Sequence, residues 1–395
     1  MSKVLNVALV GQKFMGRAHS NAWLKVAKFF DLPLIPVMHT IDDVDEVGLK
    51  EFASRWGWQH YTTNYKSVLK DPQIGLVDLG VPNFAHAELA IAALEAGKHV
   101  TCEKPLAHTL KDARRMMEAA GKAKNQKTFV SYNYRRCPAV ALAHQLVKQG
   151  ALGRIYHVRA QFLQSWAGPD VPLLWRFQKK YAGSGSLGDL GAHIIDMARF
   201  VTGDEFAEIS GAISETFVKQ RKIPTAGPAG LIAAGTRGAG KKGKVDVDDA
   251  MLFLARFAGG AIGTFEATRM AKPHQNAANL EINGEKGAIK FEFENMNVLW
   301  FHDAAADAKV AGWTRIMCTS AGNHPYAGNW WPDAHVLGYE HTFINQAADI
   351  VRALAGKKPE VPLPDFADAY ETQRVLEAAM LSAKHRCAVN LSEVK

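Results

Sequence analysis

The chain has 395 residues, enough for two ordinary domains that each have a hydrophobic core. With 48% apolar and 22% charged residues, its composition is close to the average for soluble globular proteins. No apolar run approaches the ~20 residues of a membrane-spanning helix. A net charge of +8 invites nucleic-acid binding, but the densest basic runs, residues 219–222 and 241–244, contain no aromatic residues and match no nucleic-acid motif. We therefore expect neither a membrane nor a nucleic-acid partner.

The cysteines are few and far apart: Cys102, Cys137, Cys318 and Cys387. They form no paired-ligand pattern, so we expect neither a disulfide framework nor a metal site. The first ten residues lack the layout of a secretory signal and are predicted to contain a short buried strand. Both observations favour a reducing compartment, and the expected location is cytoplasmic.

The first third of the chain alternates short apolar runs with amphipathic stretches, a pattern typical of a parallel sheet with crossover helices. Strands are predicted at residues 5–10, 34–38, 74–81, 98–102 and 128–132. Pro33 and Pro36 weaken the second of these strands. Helices are predicted from about residue 15, at residues 85–96 and at residues 110–124. The fold predicted for residues 1–135 is an α/β Rossmann dinucleotide-binding domain.

The remaining residues, 136–395, are predicted to form an α+β domain with a large, mostly antiparallel open sheet. A long strand is predicted at residues 155–166, and two hairpins are predicted around Gly259-Gly260 and residues 284–287. The Gly-rich stretch 224–243 is predicted to be an exposed loop. Two helices, at residues 339–355 and 366–384, are predicted to finish the chain. Packing of one of these helices against the first domain is compatible with the prediction.

A phosphate-binding turn is the first functional candidate. The sequence Gly11-Gln12-Lys13-Phe14-Met15-Gly16 follows a predicted strand and precedes a helix, but Lys13 replaces the middle glycine of the dinucleotide fingerprint. An ordinary strand-to-helix turn and a dinucleotide turn both remain open from this motif alone. Asp42 and Asp43 are the nearest acids after the second strand, and no arginine lies there to hold a 2′-phosphate, which favours NAD without excluding NADP.

Two later motifs carry candidate catalytic groups. Cys102-Glu103-Lys104-Pro105 lies at the carboxyl end of a predicted parallel strand, where open α/β sheets bind ligands. Asp189 and His193 lie four residues apart on a predicted helix, so that the carboxylate can support an imidazole that accepts a hydroxyl proton. Each motif also has a purely structural interpretation, as a surface lysine or as a helix-terminal carboxylate with a buried histidine.

Taken together, these motifs occur in the order seen in the Gfo/Idh/MocA family of oxidoreductases, which the chain resembles over nearly its whole length. The segments Val81-Pro82-Asn83-Phe84-Ala85-His86, Asn133-Tyr134-Arg135-Arg136-Cys137-Pro138 and Gly338-Tyr339-Glu340 are also similar to that family. The resemblance implies an NAD-dependent or NADP-dependent oxidoreductase that moves a hydride between its cofactor and a ring hydroxyl carbon of a sugar, glycoside or polyol. It further implies a homodimer or homotetramer.

The resemblance also implies roles for the matched residues. Lys104 would hydrogen-bond the reacting hydroxyl, and His193 would act as acid and base with Asp189 orienting it. Pro105 would follow a cis peptide bond. The cofactor would be bound by Gly11, Phe14, Met15, Gly16, Pro82, Asn83, His86, Glu103, Lys104 and Arg176. The substrate would be bound by Lys104, Tyr134, Trp175, Asp189 and His193.

The stretch from Pro172 to Gln178 is most similar to levoglucosan-dehydrogenase-type members of the family, which oxidise a pyranose ring hydroxyl to a ketone. Aromatic side chains in the second domain suit sugar rings, although tryptophans are as often core residues. Two alternatives stay open. One is an enzyme that uses bound NAD transiently to cleave a glycosidic bond or to epimerise a centre. The other is a catalytically silent, nucleotide-sensing regulator, against which the intact Lys104, Asp189 and His193 argue.

Overall fold

The computed structural model describes residues 3–224 and 238–395, and it divides the chain into two compact units. Unit 1 contains Met1–Arg136 and Gly338–Tyr370, and unit 2 contains Cys137–Leu337 and Glu371–Lys395. The division therefore assigns residues 338–370, which lie in the second predicted domain, to the first unit. A search of the described residues finds no helix long and apolar enough to cross a membrane.

Strands and helices alternate along the first part of unit 1. In chain order they are β1 (Lys3–Val10), α1 (Phe14–Phe29), β2 (Leu34–Asp42), α2 (Leu49–Trp56), β3 (His60–Thr62), α3 (Tyr65–Lys70), β4 (Ile74–Leu79), α4 (His86–Glu95), β5 (His99–Cys102), α5 (Leu110–Lys122) and β6 (Thr128–Val130). The strands form one parallel sheet in the order β3-β2-β1-β4-β5-β6. This is the Rossmann order, and the prediction of such a sheet is confirmed.

Unit 2 is dominated by strands. Its elements up to the last long strand are α6 (Pro138–Lys148), β7 (Ile155–Leu163), α7 (Lys179–Ala182), α8 (Ala192–Thr202), β8 (Phe206–Glu215), β9 (Gln220–Pro224), β10 (Gly238–Lys244), β11 (Ala250–Phe257), β12 (Ile262–Thr268), β13 (Ala277–Gly284), β14 (Gly287–Glu292), β15 (Val298–Asp303) and β16 (Thr314–Met317). The chain ends with α9 (Tyr339–Leu354), α10 (Phe366–His385) and β17 (Val389–Asn390).

Nine strands of unit 2 form one sheet in the order β16-β15-β14-β13-β7-β12-β11-β8-β17. Neighbouring strands are antiparallel except β7 and β12, which are parallel, so the predicted mostly antiparallel sheet is confirmed. Helices α6 and α8 pack against one face. The opposite face carries exposed apolar side chains at Leu252, Leu254 and Ile262, because alternate residues of each strand point to opposite faces.

Several predicted strand ends differ from the structure by two or three residues, and two boundaries differ by more. Strand β2 continues past Met38 to Asp42, because a bulge at His39 restores its pairing with β1. The predicted loop 224–243 is too long at its end, since Gly238–Lys244 pairs with Gln220–Pro224 as a two-stranded ribbon. Residues 225–237 of that prediction lie outside the described part of the chain.

The segment that returns to unit 1 is fixed by polar contacts. Helix α9 packs against α1, and its Asn345 donates a hydrogen bond of 3.1 Å to the carbonyl of Arg136. The buried Arg136 guanidinium lies 3.6 Å from the buried carboxylate of Asp349. Residues 338–370 therefore belong to the same core as the parallel sheet.

Candidate active site

The parallel sheet of unit 1 changes its strand order between β1 and β4, and ligands of open α/β sheets bind at the carboxyl edge of this switch point. Gly11 follows β1 directly, and its amide donates to the carbonyl of Asp42 at 2.8 Å. The amide of Gly80, which follows β4, donates to the carbonyl of Val10 at 2.9 Å. The predicted phosphate turn therefore lies at the edge where a dinucleotide would bind.

Steric contacts explain why Gly11 and Gly16 of the turn are glycines. Gly11 has a φ of 107°, and a Cβ atom there would lie 2.5 Å from the carbonyl oxygen of Gly80. A Cβ atom at Gly16 would lie 2.0 Å from the carbonyl oxygen of Gly11. Both distances are far below van der Waals contact, so only glycine allows the turn and the start of α1 to approach so closely.

Lys13, which departs from the fingerprint, does not need the left-handed backbone that favours glycine. It is the N-cap residue of α1 with a φ of −81°, which any residue can adopt. Its ammonium group forms an ion pair of 2.6 Å with Asp45, and this hydrogen bond lowers the pKa of Asp45. The turn therefore carries a cation at the N-terminus of a helix, where anions bind.

The end of β2 places two acids beside the turn. Asp43 accepts a hydrogen bond of 2.7 Å from the amide of Gln12. Asp42 is buried, and its Oδ1 atom has no hydrogen-bond partner among the described residues. Burial, together with the neighbouring Asp43, raises the pKa of Asp42 to about 7. An unpartnered acceptor at the end of β2 fits a ribose hydroxyl of a dinucleotide, which is bound by an acid at this position in Rossmann domains.

A buried network lies behind the Glu-Lys-Pro motif. Both carboxylate oxygens of Asp78 lie 2.8 Å from Nδ1 of His19, and Oε1 of Glu103 lies 3.0 Å from Nε2. Trp23 donates a hydrogen bond of 2.7 Å to Asp78. Burial opposes the charge on His19, but Asp78 and Glu103 outweigh it and raise the pKa of His19 to about 10. We call His19, Trp23, Asp78 and Glu103 the His19 network.

This network reaches the backbone of Lys104. The second carboxylate oxygen of Glu103, Oε2, accepts a hydrogen bond of 3.2 Å from the Lys104 amide. The Lys104–Pro105 peptide bond is cis, as the resemblance implies. Lys104 itself is half-buried, whereas Glu103 is buried. Glu103 therefore joins the imidazolium of His19 to the turn that carries Lys104.

His86 connects the loops that follow β4 and β5. Its ring nitrogens lie 3.0 Å from the carbonyl of Val81 and 3.1 Å from that of Pro105. Burial lowers the pKa of His86, so the neutral ring donates one of these bonds. The other predicted residues of unit 1 lie at the same end of the sheet or directly after β6. They are the exposed Phe14, the half-buried Met15, Pro82 and Asn83, and the buried Tyr134.

The predicted helix that carries Asp189 and His193 begins differently from the expectation. Residues Leu187–Gly191 form a π-helical turn, and α8 starts only at Ala192. The turn is pinned by the buried Asp248, whose carboxylate accepts hydrogen bonds from the amides of Gly185 and Leu187 at 2.6 and 2.8 Å. Asp189 therefore lies in the widened turn and His193, which is buried, in the first turn of α8.

Trp175 and Arg176 also lie in unit 2, in a short turn before α7. The Arg176 guanidinium lies 4.4 Å above the ring of Trp175, within reach of a cation–π contact. The guanidinium of Arg269 donates a hydrogen bond of 3.4 Å to the carbonyl of Arg176. It also lies 3.8 Å from the carboxylate of Asp189. The structure therefore brings the segments of Arg176 and Asp189 together within unit 2, just as it brings Gly11, Asp42 and Lys104 to one sheet edge in unit 1.

Four residues with clear roles in these arrangements are missed by the sequence analysis: His19, Asp78, Asp248 and Arg269. His19 lies on α1 three residues after Gly16, and Asp78 is the single acid inside the apolar strand β4, which are signals that could be used. Asp248 and Arg269 follow no motif, because their partners come from distant parts of the chain.

Comparison with known proteins agrees with this architecture. Residues 5–132 match the family model of the oxidoreductase family with an NAD-binding Rossmann fold. Residues 140–290 match the model of the GFO/IDH/MocA C-terminal domain. The two matches cover most of the chain and correspond to the parallel sheet and to the larger mixed sheet.

Individual relatives extend over nearly the whole chain. Levoglucosan dehydrogenase of Pseudarthrobacter phenanthrenivorans is 41% identical over 393 residues, which is 99% of each protein. An oxidoreductase domain protein from Kribbella flavida has a structure with a TM-score of 0.91 and 47% identity, covering 98% of this chain and 99% of its own. A levoglucosan dehydrogenase in complex with NADH and levoglucosan gives a TM-score of 0.89 at 39% identity, with coverage of 98% and 99%. The chain is a member of the Gfo/Idh/MocA family of NAD-binding oxidoreductases.

Proposed function

We propose that this protein is an NAD-dependent dehydrogenase that oxidises a ring hydroxyl of a pyranose, anhydrosugar or polyol to a ketone. The observation that carries the proposal is the position of Lys104, on a turn at the same sheet edge as the Gly11 turn and the unpartnered Asp42. The full-length similarity to levoglucosan dehydrogenase supports the substrate class.

In the proposed reaction, Lys104 donates a hydrogen bond to the oxygen of the reacting hydroxyl and His193 accepts the proton of that hydroxyl. Asp189 stabilises the imidazolium that His193 becomes. When bound, NAD supplies the acceptor for the hydride that leaves the substrate carbon. The carbon thus loses a hydride, its oxygen loses a proton, and a ketone is formed.

The cofactor residues divide by the part of the dinucleotide that they hold. Gly11, Phe14, Met15 and Gly16 line the pyrophosphate, and Asp42 accepts hydrogen bonds from the adenosine ribose. The residues along the nicotinamide half are Pro82, Asn83, His86, Glu103, Lys104 and Arg176. Of these, Glu103 and His86 are buried, and their recorded partners are His19, the Lys104 amide and backbone carbonyls. We assign both of them the task of shaping the nicotinamide end of the cofactor site.

The substrate residues are Lys104, Tyr134, Trp175, Asp189 and His193. The indole of Trp175 is an aromatic face on which a sugar ring can stack. The guanidinium of Arg176 lies over this indole. Carboxylate, ammonium and imidazole groups suit the several hydroxyls of a pyranose. The proposed substrate class is therefore a cyclic polyhydroxy compound of about the size of levoglucosan.

The experiment that tests this function follows NADH absorbance while purified protein is mixed with NAD or NADP and a panel of levoglucosan, pyranosides and inositols. We expect NAD to be reduced with one sugar class. If no compound reduces NAD while calorimetry shows that NAD binds, the net dehydrogenase is wrong, and a release of cleaved or epimerised sugar would then indicate transient redox chemistry.

The open face of the unit 2 sheet is the proposed contact of a homodimer, with a tetramer as the larger alternative. Leu252, Leu254 and Ile262 expose apolar side chains there beside Arg159 and Glu281, which form an ion pair of 3.4 Å. Mixed apolar and charged groups in one face suit a self-complementary contact. Light scattering tests it: a dimer or tetramer is expected for the natural protein and a smaller species for Leu254→Asp.

The proposed location is cytoplasmic. The support is chemical, since Cys102, Cys137, Cys318 and Cys387 are all free thiols in the structure. A reducing compartment keeps them so.

A further inference from the structure

Arg269 is a buried cation that the proposed reaction has not used. It follows β12, and its side chain is fully buried in unit 2. Its planar guanidinium lies 5.1 Å from the ring of Phe177 and 5.3 Å from that of Trp166, so its faces are covered by aromatic side chains. A buried guanidinium loses its hydration at a large cost, and replacing such groups by apolar residues often leaves stability unchanged or improved. Stability alone is therefore a weak reason for a charge at this position.

The edges of the guanidinium point to three segments that bear on the proposed site. One nitrogen of Arg269 donates to the carbonyl of Asp248 at 3.1 Å. The other lies 3.4 Å from the carbonyl of Arg176 and 3.8 Å from the carboxylate of Asp189. One side chain thus contacts the residue that pins the π-helical turn, the turn of Trp175 and Arg176, and Asp189 itself.

Close packing around Arg269 fixes this arrangement further. A Cβ atom at Gly185 would lie 2.8 Å from the guanidinium of Arg269 and 1.8 Å from the carbonyl oxygen of Asp248. The Gly-rich approach to the π-helical turn therefore lies directly on the cation. Ser186 adds a hydrogen bond of 2.6 Å from its hydroxyl to the carboxylate of Asp248. Few alternative positions of the turn are compatible with these contacts.

We propose that Arg269 is a positioning residue that holds the carboxylate of Asp189 in place for its role with His193 and that holds the turn of Arg176 near the same guanidinium. The inference rests on the proposed role of Asp189. It adds that Arg269 fixes the position of the Asp189 carboxylate. The guanidinium lies 3.8 Å from a carboxylate that is itself only partly exposed, so solvent screens this pair less than it would a pair on the surface.

Arg221 offers a matched control. It is also fully buried, and its guanidinium lies 3.8 Å from the ring of the same Phe177. Its carboxylate partner is Asp249, at 3.8 Å, and its hydrogen bonds go to the carbonyls of Ala167, Gly168 and Val171. Removing Arg221 therefore deletes a comparable buried cation from the same cluster without deleting a contact to Asp189 or Arg176.

The experiment compares Arg269→Gln with Arg221→Gln in the full-length protein, using the sugar that best supports NAD reduction. We expect kcat to be at least about tenfold lower in Arg269→Gln than in Arg221→Gln at matched thermal stability. We expect Arg269→Lys, which keeps the charge, to recover part of kcat. Equal kcat values for the two glutamine variants would overturn the inference.

A double-variant cycle decides whether Arg269 acts through Asp189. We expect Arg269→Gln to slow the natural protein but to have little further effect on Asp189→Asn, whereas Arg221→Gln should have the same effect on both backgrounds. Additive effects of Arg269→Gln would overturn the inference. If Arg269→Gln does not fold, the same cycle is run with Arg269→Lys, whose additive effect would count equally against it.

The proposed role of Asp189 and the inference about Arg269 can fail independently of each other. Full activity of Asp189→Asn would refute the role assigned to Asp189. An inactive Asp189→Asn together with an Arg269→Gln variant that matches Arg221→Gln would refute only the inference about Arg269.

Discussion

Two buried charge networks lie behind the proposed catalytic groups, and they differ in the kind of cation that they contain. The His19 network of unit 1 holds one imidazolium between the carboxylates of Asp78 and Glu103 and reaches the Lys104 amide. The network of unit 2 uses guanidiniums, Arg221 and Arg269, beside aspartates. Folding raises the pKa of His19 to about 10, so the stabilisation by the His19 network decreases as the pH rises from 6.5 towards 10.

The difference also concerns what each network holds. In unit 1 the carboxylate of Glu103 accepts a hydrogen bond from the Lys104 amide and so fixes the turn that follows β5. In unit 2 the guanidinium of Arg269 contacts two carbonyls and one carboxylate from three segments, because a planar group with five donors can serve several acceptors. The four variants below test the unit 1 side of this comparison, from the largest expected effect to the smallest.

The largest effect is expected from Lys104→Ala, which removes the group that the His19 network supports. We expect kcat to fall on the order of 10³-fold, because the reacting hydroxyl loses its hydrogen-bond donor. The Kd for NADH, measured by fluorescence titration, should change little, since the pyrophosphate turn is intact. A variant with natural kcat would remove Lys104 from the mechanism.

The next effect is expected from His19→Gln, which leaves two buried carboxylates without their cation. We expect the free energy of unfolding near pH 6.5 to fall by about 3 kcal/mol, as is typical when one partner of a buried ion pair is removed. Urea unfolding measures it. A loss below about 0.5 kcal/mol, the size of the effect of a surface substitution, would show that the network is not held by charge.

The pH dependence sharpens the contrast between the two networks. The pKa of His19 is raised from 6.5 to about 10 in the folded protein, so its stabilisation is complete below pH 6.5 and is lost as the pH rises towards 10. The stability difference between the natural protein and His19→Gln should therefore shrink between pH 6.5 and 9. Burial lowers the pKa of Arg221 to about 10, so Arg221 stays charged up to pH 9. The corresponding difference for Arg221→Gln should stay constant over that window, and parallel curves for the two variants would contradict the contrast.

A smaller effect is expected from Asp42→Ala, which removes the unpartnered buried carboxylate at the end of β2. We expect the affinity for NADH to fall about tenfold, the effect of losing one hydrogen bond to the ribose. Asp42→Asn, which keeps an acceptor oxygen, is the control and should lose less. An unchanged Kd in Asp42→Ala would show that the ribose is bound elsewhere.

The smallest effect is expected from Lys13→Ala. The Lys13–Asp45 pair is partly exposed, and such pairs contribute little. We expect the Kd for NADH to change within about threefold at 150 mM salt, with a larger change at low salt because the lost charge is screened less. A large loss of affinity at high salt would instead make Lys13 a direct phosphate ligand.

Local patterns predict the parallel sheet well. Apolar runs bounded by Gly97 and by the Gly11 turn give β1, β4 and β5 nearly to the residue, because buried parallel strands carry a continuous apolar signal. The bulge at His39 is not visible in the sequence, since it depends on the register with β1, and for that reason β2 is predicted four residues too short.

The site is predicted where its residues are neighbours in the chain. Lys104 and Glu103, and Asp189 with His193, are found from short motifs. Arg269 and Asp248 could not be found, because their contacts cross 80 and 63 residues to Asp189 and Gly185 and no periodic pattern encodes them. The π-helical turn at Leu187–Gly191 is likewise set by the distant Asp248 rather than by its own residues.

The measurement that tests the central claim most directly is isotope transfer. The protein is incubated with NAD and a substrate that is deuterated at its ring carbons, and the recovered cofactor is analysed by mass spectrometry. The account predicts a cofactor that carries one deuterium, and no labelled cofactor with Lys104→Ala. Unlabelled cofactor from the natural protein, with the sugar converted, would contradict hydride transfer to the nicotinamide.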